Sequence, residues 1–146
     1  MKYLLDTCTI SEFSKPYPDK NVTGWLKSIT PERLFLTSIT VGEIRKGLAK
    51  LPNSKRKVKI SEWINTLIEQ YESRIISIDL AVAENWGETQ GISENEGKPI
   101  PTIDGLIASV AKVHNLILVT RNEQDFENCS VPILNPWGIK PDKEDS

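Results

Sequence analysis

Two cysteines, Cys8 and Cys129, are all the chain contains, and they form no CxxC pair. That excludes a disulfide framework and a thiolate zinc centre, and it fits a reducing cytoplasm. The only histidine, His114, falls near the end of a helical pattern, where a surface or capping role is expected. No imidazole is left for a Ser-His-Asp triad. Long apolar runs are missing as well, so no segment spans a bilayer, and no membrane partner is expected. The start, Met1-Lys2-Tyr3-Leu4-Leu5-Asp6, meets an acid before a signal-peptide core can form and reads as a first strand. Nor does one charge sign dominate: 18 Lys and Arg against 20 Asp and Glu give a net charge of -2. A uniformly basic nucleic-acid binder is thereby disfavoured, which makes the distribution of charge the informative quantity.

What is present suits one soluble domain. The chain has 146 residues, 38% hydrophobic and 26% charged, enough to bury a core without staples. Short apolar runs at Tyr3-Leu4-Leu5, Leu34-Phe35-Leu36, Ile75 to Ile78, Leu116 to Val119 and Val131 to Leu134 read as strands, the last an edge strand because of Pro132. Between them lie helical spacings: Ile10 and Phe13; Val22, Trp25, Leu26 and Ile29; Val41, Ile44, Leu48 and Leu51. The pattern is strongest over Ile60, Trp63, Ile64, Leu67, Ile68 and Tyr71. Asp79 is placed to cap a helix through Val82 and Trp86 that ends at Gly91, and Gly91 to Pro101 reads as an exposed loop. Thr102 then caps a helix bearing Ile103, Leu106, Ile107 and Val110, and Asn122 caps one further turn. This alternation predicts a three-layer α/β/α sandwich with a mainly parallel, five-stranded sheet. One domain over residues 1–139 and a disordered tail over 140–146 are expected.

Four acids, Asp6, Glu43, Asp104 and Asp125, each fall where an apolar run ends or a helix begins. Each has a structural explanation. Asp6 can cap a helix, Asp104 lies in a first turn favoured by the macrodipole, and Thr40-Val41-Gly42-Glu43 matches a capping box. Helix starts that follow parallel strands share one edge of the sheet, however, so all four can meet there. Carboxylates gathered in one cleft repel one another unless protons or a hard divalent cation offset their charge. A second feature is the run from Arg45 to Lys59, which holds seven basic residues and no acid. It reads either as a solvated helix face or as a path for a phosphate backbone, with Arg45, Lys46, Lys55, Arg56 and Lys57 the candidate contacts. The helical spacing of Trp25, Trp63 and Trp86 favours core or subunit packing over base stacking.

The ordered pieces Tyr3-Leu4-Leu5-Asp6-Thr7 with Ser11-Glu12, Ser38-Ile39-Thr40-Val41-Gly42-Glu43-Ile44-Arg45-Lys46-Gly47, Ile103-Asp104-Gly105-Leu106-Ile107-Ala108, Leu118-Val119-Thr120-Arg121-Asn122 with Asp125-Phe126, and Asn135-Pro136-Trp137 resemble PIN-domain ribonucleases of the VapC-like toxin group. The resemblance spans Tyr3 to Trp137. It implies a Mg²⁺- or Mn²⁺-dependent endoribonuclease, the toxin of a type II toxin-antitoxin pair, with Asp6, Glu43, Asp104 and Asp125 as catalytic and metal-holding residues. Thr7, Thr120 and Asn122 would support the pocket. A homodimer, a small cognate antitoxin and an RNA substrate are implied as partners. The competing readings are weaker. A haloacid-dehalogenase-type phosphatase needs an acid where Cys8 stands, and a phosphoreceiver would have only Asp79 as its acceptor. A non-catalytic nucleic-acid-binding or regulatory module would use the same acids only to stabilise helix ends.

Overall fold

Three-residue apolar runs leave little room for alternation of polar and apolar faces, and they become strands covered on both sides. The computed structural model describes residues 1–138. The expected tail at 140–146, and the last residue of the expected domain, lie outside the described residues. β1 (Tyr3–Leu5), β2 (Leu34–Thr37), β3 (Ile75–Ile76), β4 (Ile117–Val119) and β5 (Ile133–Leu134) form one sheet in the order β3-β2-β1-β4-β5, every pairing parallel. Six α-helices occupy the connections among the described residues: α1 (Thr7–Ser11), α2 (Lys20–Lys27), α3 (Ser38–Ala49), α4 (Lys55–Gln70), α5 (Leu80–Asn95) and α6 (Thr102–Val113). None is long and apolar enough to cross a membrane. The strand order reverses direction between β1 and β4, and the crevice beyond their carboxyl ends is where open sheets of this kind hold ligands.

Period-two alternation along β1 divides the interior into two layers. Tyr3 and Leu5 join Val22, Leu26, Ile64 and Leu67 on one face, while Leu4 joins Val82, Ile107 and Val110 on the other. Leu4, Leu5 and Ile64 are wholly buried, and each such side chain contributes about 1.5–3 kcal/mol. This is the expected α/β/α sandwich. The apolar helices of the first face are only partly covered by it. Leu26, Ile64 and Leu67 are buried, whereas Trp25, Trp63 and Ile68 pack against the core with part of their surface open. Between α2 and α4 lies a hollow of about 630 Å³ whose lining includes Ile10, Phe13, Leu26, Trp63, Leu67 and Tyr71.

Helix ends depart from the sequence reading at four places. Thr37, not Thr40, caps α3, its hydroxyl accepting from Ile39 N at 3.0 Å. The expected Thr40–Glu43 capping box therefore does not form, and the buried Thr40 hydroxyl has no partner among the described residues. α5 continues through Gly91 to Asn95, so half of the expected loop is helix. It stops at Gly97, whose φ of +71° suits glycine, with Gly97 N donating to Glu94 O and Lys98 N to Ser93 O. Pro101, not Thr102, occupies the N-cap of α6, and no side chain caps it. Asn122 precedes a 3₁₀ turn, Glu123–Phe126, without capping it. Asp79 does cap α5, accepting from Val82 N at 3.0 Å, and His114 is the exposed last residue after α6.

Two local devices have measurable consequences. α5 and α6 meet at Gly105, where an added Cβ would lie 3.2 Å from Gln90 Oε1 and from two atoms of the Trp86 ring. Overpacking of this kind costs about 1–3 kcal/mol, and the better helix propensity of alanine offsets about 1 kcal/mol of it. Gly105→Ala should therefore lower stability in urea denaturation, and because Asp104 is its neighbour it should also impair whatever Asp104 does. A variant as stable as wild type would show that α5 moves freely there.

Glu12 is the second device. It is buried, its Oε1 lies 2.9 Å from Lys15 Nζ, and its Oε2 accepts from Asp19 N at 2.8 Å, which ties down the turn carrying Pro16 and Pro18. Burial pushes its pKa up, but the contacts with Lys15 and the Asp19 N–H outweigh burial and hold it below the ordinary value. A depressed carboxylate contributes stability that is present above its unfolded pKa and lost as pH falls through the folded one. Glu12→Gln should flatten the acid limb of the stability profile below about pH 4.5. An acid limb identical to wild type would remove this assignment.

Candidate active site

Every acid singled out in the sequence reaches the carboxyl edge of the sheet from a different element. Asp6 directly follows β1 and caps α1. Its N–H donates to Val119 O at 3.1 Å, and its Oδ1 accepts from Thr9 N at 2.9 Å. Thr9 Oγ1 lies 2.8 Å from the same carboxylate oxygen and 2.9 Å from Val119 O. Only 4% exposed, Asp6 is thus fixed by two donors before any ligand arrives. Glu43 projects from α3 and accepts the Thr7 hydroxyl, joining α1 to α3. Asp104 lies in the first turn of α6, and Asp125 is exposed in the 3₁₀ turn after β4.

Electrostatics shows how near these groups are to one another. The Asp104 carboxyl is pushed up to about 6, first by burial and then by the charges of Asp125, Glu43 and Asp6. All four acids therefore share one field. Cys129, under α6, is pushed up to about 11 by burial and by the Asp104 charge.

Thr120 is wholly buried, and its hydroxyl accepts from Asn122 N at 3.0 Å. Both residues meet at Cys8, whose sulfur lies 3.9 Å from Thr120 Oγ1 and 3.9 Å from Asn122 Nδ2. Cys8 is a pocket residue that sequence reasoning missed. Its Sγ stands 3.1 and 3.2 Å from the two Asp6 oxygens, and burial followed by the Asp6 charge raises its pKa to about 11, so it remains a thiol donor at neutral pH. The spacing Asp6-x-x-Thr9 of an N-cap could have revealed the role of Thr9, whereas nothing local signals that of Cys8.

The basic run is only partly brought to the acids. Arg45 donates to Asn65 Oδ1 at 2.7 Å, and Lys57 donates to the Leu51 carbonyl at 3.1 Å. Lys46 and Lys55 are exposed. Arg56 lines a hollow of about 260 Å³ together with Thr7, Glu43 and Trp63, and so borders the acidic pocket.

Carboxylate oxygens suit a hard divalent cation, and a carboxyl raised by burial and then by its neighbours' charges is the strain that such a cation relieves. By donor chemistry the quartet fits Mg²⁺ or Mn²⁺. Among the described residues no three acidic, thiol or imidazole side chains are drawn in to coordination spacing, so the acids lie within electrostatic reach of one another but apart.

The model of the PIN domain family matches residues 3–131. Toxin FitB of Neisseria gonorrhoeae is 37% identical over 135 residues, covering 92% of this chain and 97% of that protein. VapC ribonuclease Y4jK of Sinorhizobium fredii is 33% identical, with 92% and 96% covered. A solved structure described as FitAB bound to an IR36 DNA fragment superimposes with a TM-score of 0.88 at 35% identity, covering 94% of this chain and 97% of that one. With the four acids at the switch point of the sheet, and with similarity running along nearly the whole chain, this protein belongs to the PIN-domain family.

Proposed function

We propose that the protein is a divalent-metal-dependent endoribonuclease of the cytoplasm, the toxin of a toxin-antitoxin pair, acting through Asp6, Glu43, Asp104 and Asp125. The observation that supports this most is the raised Asp104 carboxyl, because it reports four acids from four elements sharing one field. The relative named VapC ribonuclease Y4jK supports the reaction class.

Asp6, Glu43 and Asp104 would hold a Mg²⁺ or Mn²⁺ ion, which supplies positive charge at the scissile phosphate and makes water more acidic. The chain's own groups do the positioning. Thr9 and Cys8 orient Asp6, Thr7 holds Glu43, and Thr120 with Asn122 flanks the Cys8 thiol. Asp125, exposed at the rim, is placed to orient a water or assist a second cation. Asp104 keeps its proton more readily than an ordinary aspartate, so the full negative charge of the pocket develops only as pH rises through about 6.

The same acids explain how the site would be silenced. An antitoxin arginine or lysine inserted among them would pair with the carboxylates, while its apolar side chains filled the hollow between α2 and α4. The partly open Trp25, Trp63 and Ile68 suit either that partner or a second copy in a homodimer. Structured RNA incubated with the protein in Mg²⁺, in Mn²⁺ and in EDTA, with Asp6→Asn alongside, tests the reading. Cleavage should require the metal and Asp6, and should stop when a small DNA-binding product of the neighbouring gene is added. Cleavage undiminished by EDTA and by Asp6→Asn would overturn it.

A further inference from the structure

An acidic pocket that cuts RNA must hold an anionic polymer against its own repulsion, so the cations at its rim determine how the strand lies. Arg56 borders the pocket on the α3–α4 side, in the hollow shared with Thr7 and Glu43. On the β4 side stands Arg121, which lies outside the basic run. Thr120 and Asn122, its two neighbours, both reach the Cys8 sulfur, and the Arg121 backbone N–H stands against that same thiol, one contact away from Asp6.

Its side chain goes elsewhere. The guanidinium lies over the Trp137 ring, 5.3 Å from the centroid. Trp137 is fixed at both ends of its backbone, its N accepted by Asn135 Oδ1 at 3.0 Å and its O accepting from Asn21 Nδ2 at 3.0 Å. Arg121 is exposed, and among the described residues the single ion pair is Lys15–Glu12, so none of the described carboxylates pairs with it. A guanidinium stacked on a ring keeps its fork of N–H donors available and loses less freedom on binding than a free side chain. Arg45 and Lys57, by contrast, already donate within the chain.

We propose that Arg121, carried on the Trp137 ring, binds an RNA phosphate flanking the scissile one, across the pocket from Arg56. The two arginines then hold the strand at both sides of the acids. Arg121 is a positioning residue for the backbone and carries no base preference. This inference rests on the ribonuclease reading.

The test measures binding of a short single-stranded RNA to the full-length protein in EDTA across a salt series, together with kcat and KM for cleavage in Mg²⁺. Arg121→Gln should weaken binding about 5- to 10-fold near 0.1 M salt and lower the log–log salt slope by about 0.7, the value for one phosphate contact on a single strand. KM should rise more than kcat falls. Arg121→Lys should restore the slope, and Trp137→Leu should keep the slope while reducing affinity. If the role is only to pin the C-terminal turn, Arg121→Gln will lower the melting temperature and leave slope and KM unchanged, which overturns the proposal. It is also overturned if RNA binding is unaffected while the complex with the antitoxin weakens, since Arg121 then serves the protein partner. A wild type that neither binds nor cuts RNA removes the parent reading as well, whereas a wild type that cuts RNA exactly as Arg121→Gln does removes this inference alone.

Discussion

Replacing Asp6 and Asp104 together by Asn should cut RNA cleavage by about 10³-fold or more and leave a folded protein. Asparagine caps a helix nearly as well as aspartate, so the Thr9 N–H that Asp6 accepts keeps a partner, and only the charge is lost. At Asp104 the change even removes a burden. Its carboxyl is raised from 3.8 to about 6, so ionising it costs the fold progressively as pH climbs through that interval, and the cost is fully present at neutral pH. The partial exposure of this residue leaves the cost at about 1 kcal/mol after screening. In EDTA at pH 7.5 the double variant should therefore melt at or above the wild-type temperature. Single-turnover cleavage and a thermal melt on the same preparation check both halves. Wild-type turnover by the folded double variant would refute the role of these acids.

The second large effect is stabilisation by metal. On the proposed reading, a divalent cation binding the native state would relieve the mutual repulsion among the four acids. Free metal at 100 times its Kd then adds about 2.7 kcal/mol of stability. For a chain of this length that is roughly 5–10 °C in Tm. The shift should shrink at pH 5, where Asp104 holds its proton, and should vanish in Asp6→Asn/Asp104→Asn. Equal shifts in wild type and the double variant would mark the effect as non-specific.

Much of this was legible in the sequence because the physics is local. Apolar runs of three or four residues separated by helical spacings leave few arrangements other than a parallel sheet covered on both faces, and the five strands fall where those runs lie. Asp6 and Asp104 were legible for the same reason, since one follows a strand and the other opens a helix at one edge, whereas Glu43 lies a turn inside α3.

Helix ends were less so, because a cap depends on where the backbone leaves the preceding strand. β2 extends to Thr37, which moves the start of α3 three residues ahead of Thr40 and frees Glu43 to meet Thr7. Gly91 looked like a stop, yet α5 runs through it to Asn95, because a lone glycine inside a helix costs only about 1 kcal/mol and the positive φ that suits a helix end falls at Gly97. The Cys8–Thr120 contact joins residues 112 positions apart and the Arg121–Trp137 pair residues 16 apart, separations that no local pattern carries.

End-group analysis of the RNA products formed in Mg²⁺ tests the central claim most directly. Hydrolysis at the four-acid pocket has no histidine base to activate a ribose 2′-hydroxyl, and water attacking in line leaves a 5′-phosphate and a 3′-hydroxyl. Those ends should appear with Mg²⁺ or Mn²⁺ and be absent in EDTA. A 2′,3′-cyclic phosphate, or cleavage that persists in EDTA, would contradict the account.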